Sequence, residues 1–438
     1  MRRELALVFG SRVTWLTAAV AAVLVGHGFV LAVDLYTAGS RSALENTLMS
    51  REFDPLLGIV RPSLGGLYLA LSLFGPLVGA RALALEKDRR TFYSRLLATG
   101  SAPAFVARKW LAALAGTLLP WVAPLVIILV WRLMGGHVAP AETAVALLGH
   151  LLYAAFVAGI GLAAASFARG FAQAATAALL AVAFTWAVDA AEGFSALAWL
   201  GTAAAWSPTT HLRPFEQGAL DLRAVGWFLG ALGGLFALTC TGCRFDLHGP
   251  RRLGAVAAAA LVLVVGCVTL RRIPSAWDAS EALRHSLPPA AARELRTLPG
   301  RLTITANLDR EDSRRRQLES DTLAKLRLAR PDLTVRFPPD ERNAPAALDA
   351  GEGYGRLIIR LGDRTAETTS TSRREIVTLI FELAGRTLPD WTQPQYAGYP
   401  LVIEGGKRRF VLLASYLALP ALFLVAGIGL TTNRRRTT

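Results

Sequence analysis

Eight apolar stretches read as spans contain no Asp, Glu, Lys or Arg: residues 13–33, 62–80, 110–131, 143–168, 170–188, 224–243, 253–270 and 410–433. About 20 apolar residues, rising ~1.5 Å each, cross a hydrocarbon core of about 30 Å as a helix. Each stretch is long enough, so the pattern predicts eight transmembrane helices. Arg2 and Arg3 precede the first, as they would in a secretory signal. Its apolar run exceeds the usual ~7–15 residues, however, which predicts a retained anchor.

Between the seventh and eighth stretches the pattern changes at Arg271. A proline-punctuated segment, Ile273–Pro299, reads as helical. After it the periodicity predicts a strand Leu302–Leu308, a helix Glu311–Arg330 and a strand Leu333–Phe337. A Pro-, Ala- and Gly-rich loop, Pro338–Gly355, leads to two alternating runs, Arg356–Leu361 and Thr365–Ser370. Gly362-Asp363-Arg364 joins them with hairpin chemistry. A last helix is predicted over Arg373–Ala384. The order βαβ then ββα is that of a thioredoxin-like α/β unit. The predicted fold is therefore an α-helical polytopic membrane protein of about eight transmembrane helices, with an extracytoplasmic α/β domain inserted before the last helix. Its parts are residues 1–271 (membrane domain, seven spans), 272–406 (α/β domain) and 407–438 (last helix and basic tail).

Composition agrees. The 438 residues are 53% hydrophobic and 18% charged, with mean hydropathy +0.40, which excludes a soluble globular protein, a disordered chain and a fibre. The net charge of +15 raises the question of a nucleic-acid partner. With the N-terminus in the cytoplasm, inside segments hold 17 Lys and Arg and the short outside loops 6. The positive-inside rule then puts both termini in the cytoplasm and residues 272–407 on the far side. That insert has 21 basic and 19 acidic residues. The excess charge thus belongs to membrane topology, and no nucleic-acid partner is expected.

Candidate chemistry is sparse. The three cysteines, Cys240, Cys243 and Cys267, lie in apolar stretches, so no disulfide framework is predicted. Cys240-Thr241-Gly242-Cys243 is a C-x-x-C match, but at the end of a span it reads as packing rather than redox or metal chemistry. The insert has no cysteine and one histidine, His285. Ionisable groups within or near the spans are His27, His150, Asp189 and Glu192, the last two close enough to the interface to be solvated. Arg314, Arg315 and Arg316 open a predicted helix, where they oppose its dipole. They are a candidate surface for an acidic partner, or a solvated run.

The most informative segment is Arg81–Trp110, RALALEKDRRTFYSRLLATGSAPAFVARKW. Over Thr91–Ala98, Phe92, Leu96 and Leu97 are expected to share one face of a short helix, leaving Arg89, Arg90 and Arg95 to solvent or an acidic partner. Glu86, Arg89, Thr91, Leu96, Leu97, Ala98, Thr99 and Lys109 make this segment resemble the cytoplasmic connection between the second and third spans of ABC-2 type permeases. Arg90 stands where that pattern has Gly, and Gly100 where it has Pro. Before the sixth span, Ser207-Pro208, His211, Phe215, Gly218, Asp221 and Leu222 resemble an outer stretch of the gliding-motility and copper-accessory branch of the same family. Pro208, Pro214 and Gly218 would make the chain break and re-enter near the outer surface, with Trp199 and Trp206 in the interfacial aromatic belt. Residues 298–385 and 407–436 resemble a shortened auxiliary protein of gliding-motility ABC systems.

These resemblances imply a permease subunit in a bacterial inner membrane. No G-x-x-x-x-G-K-[ST] loop is present in the sequence, so ATP would be bound by a separate cytoplasmic ABC ATPase and this chain would need no cofactor. Glu86, Arg89, Arg90, Thr91, Arg95, Leu96 and Leu97 are the expected ATPase-coupling residues. A second permease protomer, identical or different, membrane lipid and an extracytoplasmic protein are the other implied partners. Two alternatives stay open: a non-transporting scaffold whose α/β domain recruits a periplasmic protein, and an anchored enzyme. The insert's lack of a clustered catalytic set argues against the enzyme.

Overall fold

The computed structural model of the protein describes residues 2–45, 55–191, 206–244, 246–270, 276–281, 283–308, 312–337, 354–389 and 401–436. Among the described residues eight helices are long and apolar enough to cross a membrane: Thr14–Ser42, Leu56–Asp88, Ala102–Leu133, Pro140–Phe167, Phe171–Ala190, Leu222–Cys243, Gly249–Gly266 and Gly405–Gly429. One lies on each of the eight apolar stretches read as spans, and the chain is a multi-pass α-helical membrane protein. It divides into two compact units, Met1–Ala279 with Gln395–Thr438, and Ser280–Pro394.

In the first unit α1 (Arg2–Phe9) precedes α2 (Arg12–Glu45), and α3 spans Arg61–Asp88. The short α4 (Phe92–Thr99) leads to α5 (Ala102–Leu118) and α6 (Val122–Leu133), which form one crossing. Between them Leu119–Trp121 tighten into a 3₁₀ turn where Pro120 withholds its N–H. Then come α7 (Pro140–Phe167), α8 (Phe171–Ala191), α9 (Pro208–Glu216), the strand β1 (Ala219–Asp221), α10 (Leu222–Cys243) and α11 (Gly249–Leu270).

Small residues let α3 and α7 approach closely. Gly75 and Gly79 are one turn apart on α3, and a Cβ at Gly79 would sit 2.1 Å from the Ala158 carbonyl oxygen on α7. A Cβ at Gly161 would sit equally close to the Pro76 oxygen. In lipid, helices gain nothing from hiding apolar surface from water, so such close van der Waals approach holds them together. Around this pair Phe29 and Tyr36 of α2, Leu64 of α3, Trp131 of α6 and Tyr153 of α7 fill the core.

The second unit holds a four-stranded sheet. Its elements are α12 (Pro289–Thr297), β3 (Leu302–Ala306), α13 (Ser313–Gln317) continued through a π-helical turn into α14 (Ala324–Ala329), β4 (Thr334–Arg336), β5 (Leu357–Leu361), β6 (Arg364–Thr368) and α15 (Arg373–Leu383). Strand β2 (Ala276–Asp278) lies in the first unit. The sheet order is β4-β3-β5-β6, with β3 and β4 parallel and the other neighbours antiparallel. The register pairs Leu302 with Leu361, Ile304 with Ile359 and Ala306 with Leu357, giving one buried row. Leu318, Leu326, Ile376, Ile380 and Phe381 complete that core. Gly362, at φ 58, and Asp363 turn β5 into β6, one residue shorter than the predicted turn.

One predicted element differs. Ile273–Pro299 is not one helical segment: β2 pairs antiparallel with β1 across Leu220 and Trp277, and among its described residues helix forms only at Pro289–Thr297. Pro289 suits a first helical turn, whereas an α-helix ahead of Pro288 would place that residue in a conformation proline disfavours. The Ala279 N–H also donates to the Gly218 carbonyl at 2.9 Å, tying this segment to the membrane unit. In the same unit α16 (Gly405–Leu413) and α17 (Leu419–Arg436) return to α2. Arg408 Nε meets Asp34 at 2.9 Å, Arg41 pairs with Glu404, and His27 Nδ1 lies 2.7 Å from the Tyr416 hydroxyl.

Candidate coupling site at the basic end of the bundle

Helix α3 stops at Asp88 and the chain turns through Arg89 and Arg90. Arg90 takes φ 55, in the left-handed region, at the position where the resembled permease pattern has Gly. The Thr91 N–H returns to the Glu86 carbonyl at 2.9 Å, and α4 follows for two turns. It ends at Gly100, φ 78, a conformation closed to the proline of that pattern. Ser101 then caps α5 by accepting from the Ala104 N–H. So α4 is a short helix with a defined stop at each end.

One face of α4 is seated. Phe92 and Leu96 are buried with Leu83, Ala84, Phe105 and Val106, and the Phe92 and Phe105 rings meet edge-on at 5.7 Å. Lys87 lies 5.4 Å from the Phe92 centroid and donates to the Ser166 and Ala168 carbonyls at 2.7 and 2.9 Å, closing the C-terminus of α7.

Beneath α4 four charges from four elements meet. Lys109 Nζ of α5 lies 2.8 Å from Glu4 Oε2 of α1 and 2.5 Å from Glu86 Oε1 of α3, with the Lys109 side chain 2% exposed and that of Glu86 4%. Arg95 of α4 pairs with Glu86 and stands 3.8 Å from Glu4. Two carboxylates and two cations cancel, which is what allows them to be buried. Glu86 Oε2 keeps no hydrogen-bond partner.

Two sequence expectations are corrected here. Arg95, its side chain 20% exposed, is paired with Glu86 and close to Glu4 rather than left to solvent or an acidic partner. Leu97 does not join the buried face: it is 66% exposed, beside Tyr93 at 61%. At 100° per residue, Leu97 is rotated away from the line through Phe92 and Leu96. Arg89 and Arg90 are exposed and Thr91 is half-buried. The exposed side of α4 thus combines Tyr93 and Leu97 with the two arginines ahead of it. Glu4 escaped the sequence reading because 105 residues separate it from Lys109. A lone acid among the basic residues that open the chain was its only signal.

The outer stretch forms α9 and β1. Ser207 and Pro208 start α9, His211 stacks on Trp227 at 4.5 Å, Phe215 is fully buried, and Gly218 turns the chain at φ 81. Asp221 caps α10 by accepting from the Arg223 N–H at 2.9 Å. Glu216 lies 3.5 Å from both His150 Nε2 and Arg61 Nε. Cys240 and Cys243 are free thiols on α10.

In the α/β unit Asp312 caps α13 and pairs with Arg314 at 2.9 Å, while Arg315 meets Glu319 at 3.2 Å and stacks on Phe337 at 3.9 Å. The acids that neutralise these two arginines are therefore the unit's own, and neither needs an external one. Glu192, Trp199, Asp309, Arg310 and the side chain of Arg316 lie outside the described residues. No family model, no curated protein and no solved structure matches this chain.

Proposed function

We propose that the chain is the membrane-spanning permease subunit of an ABC transporter of the ABC-2 class, driven by a separate cytoplasmic ATPase docked on α4. The observation that carries this reading is the construction of α4. Phe92, Leu96 and Arg95 fasten it to α1, α3 and α5, while Tyr93, Leu97, Arg89 and Arg90 stay outward. A docked partner that moved α4 would pull on α1, α3 and α5 through the Arg95 ion pairs and the buried Phe92 and Leu96. That is how a rigid-body step at the surface can bias spans between two arrangements.

In this reading the basic end of the bundle is cytoplasmic and Ser280–Pro394 lies on the other side. The order β4-β3-β5-β6, with a parallel βαβ half and an antiparallel ββα half, supports a thioredoxin-like unit. Residues 272–407 contain no cysteine, so the unit acts by binding a protein rather than by thiol exchange.

The test is copurification of the full chain from detergent-solubilised membranes. An ATPase subunit should accompany it, and Tyr93→Asp with Leu97→Asp should release that subunit while leaving the membrane unit's thermal midpoint unchanged. Both side chains are exposed, so a lost partner with an intact fold supports docking on α4. Absence of any nucleotide-hydrolysing partner, or its retention by the double variant, overturns the reading.

A further inference from the structure

Under α4, a cavity of about 200 Å³ opens among α1, α2, α3 and α5. Its walls are of two kinds. Leu7, Val8, Leu77 and Val78 make an apolar side, and each is half-exposed, so that side continues to the outside of the bundle. The other side is charged. Glu4, Glu86, Arg95 and Lys109 line it but cancel among themselves.

Arg81 and Arg89 also line the cavity, and among the described residues neither side chain has an acidic partner. Arg81 sits seven residues inside the end of α3, about 10 Å at ~1.5 Å per residue. Half-buried where the charge-free stretch 62–80 ends, its guanidinium attracts an anion. Glu86 also lines the cavity, with its charge taken up by Lys109 and Arg95. The site therefore asks for an anion to meet two guanidinium groups and an apolar body to lie along the leucines and valines.

We propose that this cavity binds an anionic phospholipid of the adjoining leaflet. The headgroup phosphate is held by Arg81 and Arg89, and an acyl chain covers Leu7, Val8, Leu77 and Val78. Basic pockets between transmembrane helices are suited to such headgroups, and two arginines lining one cavity supply the charge that attracts a phosphate. A free inorganic anion would satisfy the arginines and leave the apolar wall unexplained. The lipid would bridge α1 to α3 beside the buried charges, steadying the base on which α4 rests. The inference depends on the chain being a membrane protein and not on its having an ATPase partner.

Native mass spectrometry of the purified, delipidated full chain tests it, with phosphatidylglycerol, phosphatidylcholine and inorganic phosphate as probes. One phosphatidylglycerol per chain should be retained in preference to phosphatidylcholine, and millimolar phosphate should not displace it. Arg89→Gln, at an exposed position, should weaken retention about fivefold, and Arg81→Gln with Arg89→Gln about 25-fold. The Arg89 variant alone decides the question if the double variant fails to fold. Equal retention of both lipids, or retention unaffected by Arg89→Gln, overturns the proposal. Displacement by inorganic phosphate would mark a simple anion site and overturn its lipid part. None of these readouts involves nucleotide hydrolysis, so failure here is separable from failure of the permease reading.

Discussion

Lys109 carries one charge and faces two carboxylates, Glu4 at 2.8 Å and Glu86 at 2.5 Å, with 2% of its side chain exposed. Removing one member of a buried charge set leaves the others uncompensated, a loss of about 3–5 kcal/mol, whereas removing a balanced pair costs much less. Lys109→Met should therefore lower the thermal unfolding midpoint of the detergent-solubilised protein sharply. Adding Glu86→Gln, which leaves Glu4 opposite Arg95, should restore part of the loss. Strictly additive losses would show that the two residues are not coupled. Backbone decisions at the same end are equally local. Arg90 accepts a left-handed φ of 55 that a β-carbon disfavours, and Gly100 takes φ 78, which proline cannot reach. Both positions break the resembled permease pattern, and both sit where α4 is entered or left.

At the scale of elements, α13 shows how a sequence warning is answered inside the fold. Arginines in a helix's first turn oppose its dipole. Asp312 supplies the remedy as N-cap: its carboxylate accepts from the Arg314 guanidinium and backbone N–H and from the Tyr354 hydroxyl at 2.7 Å. The Arg314 side-chain bond foremost, then that of Tyr354, holds the Asp312 carboxyl down at about 2, below its ordinary 3.8. A folded value below the unfolded one means a stabilising contribution that is complete above about pH 4 and fades as pH falls towards 2. The segment Ser280–Pro394 has a core of its own and is expected to fold alone. Carbon-detected NMR titration of it should place the Asp312 midpoint near 2, and Arg314→Gln should move that midpoint up. A wild-type midpoint near 3.8 would contradict the cap geometry. Nearby, Arg330 is buried and donates to the Leu298 and Gly300 carbonyls at 3.0 and 2.6 Å, joining the end of α12 to the start of β3. Its sequence position marked it only as the last residue of a predicted helix.

For the whole molecule, the division of 17 basic residues to 6 between the two sides predicts the direction of insertion. In a background lacking the native cysteines, Ser94→Cys on the exposed side of α4 should resist an impermeant maleimide applied to intact cells. Thr369→Cys, exposed beyond β6, should react. Labelling of the Ser94 variant from outside would reverse the orientation and remove α4 from any cytoplasmic partner. The two ends of the membrane domain are joined in a way no local pattern announces. Leu401 and Ile403 donate backbone N–H groups to Ser40 and Thr37, both at 3.2 Å, and Arg408 pairs with Asp34, so the last span lies against the first.

The amino-acid sequence alone determined the eight membrane-length helices and, from Leu302 onward, the strand-helix order of the insert. Both follow from one-dimensional rules: a hydrocarbon core excludes charge over about 20 residues, and side-chain periodicity distinguishes strand from helix. It also located the segment around Glu86 and Arg95, since a basic, amphipathic interruption between two spans is visible in any linear reading. Tertiary structure alone decided what those residues do. Whether Arg95 faces solvent or Glu86 depends on Glu4 and Lys109 arriving from α1 and α5. Whether Leu97 is buried depends on which side of α4 meets Phe105. The cavity beside them exists only because α1 folds against α3 and α5. Pairing and burial are set by distance in space, and residues 105 positions apart carry no mark of their meeting.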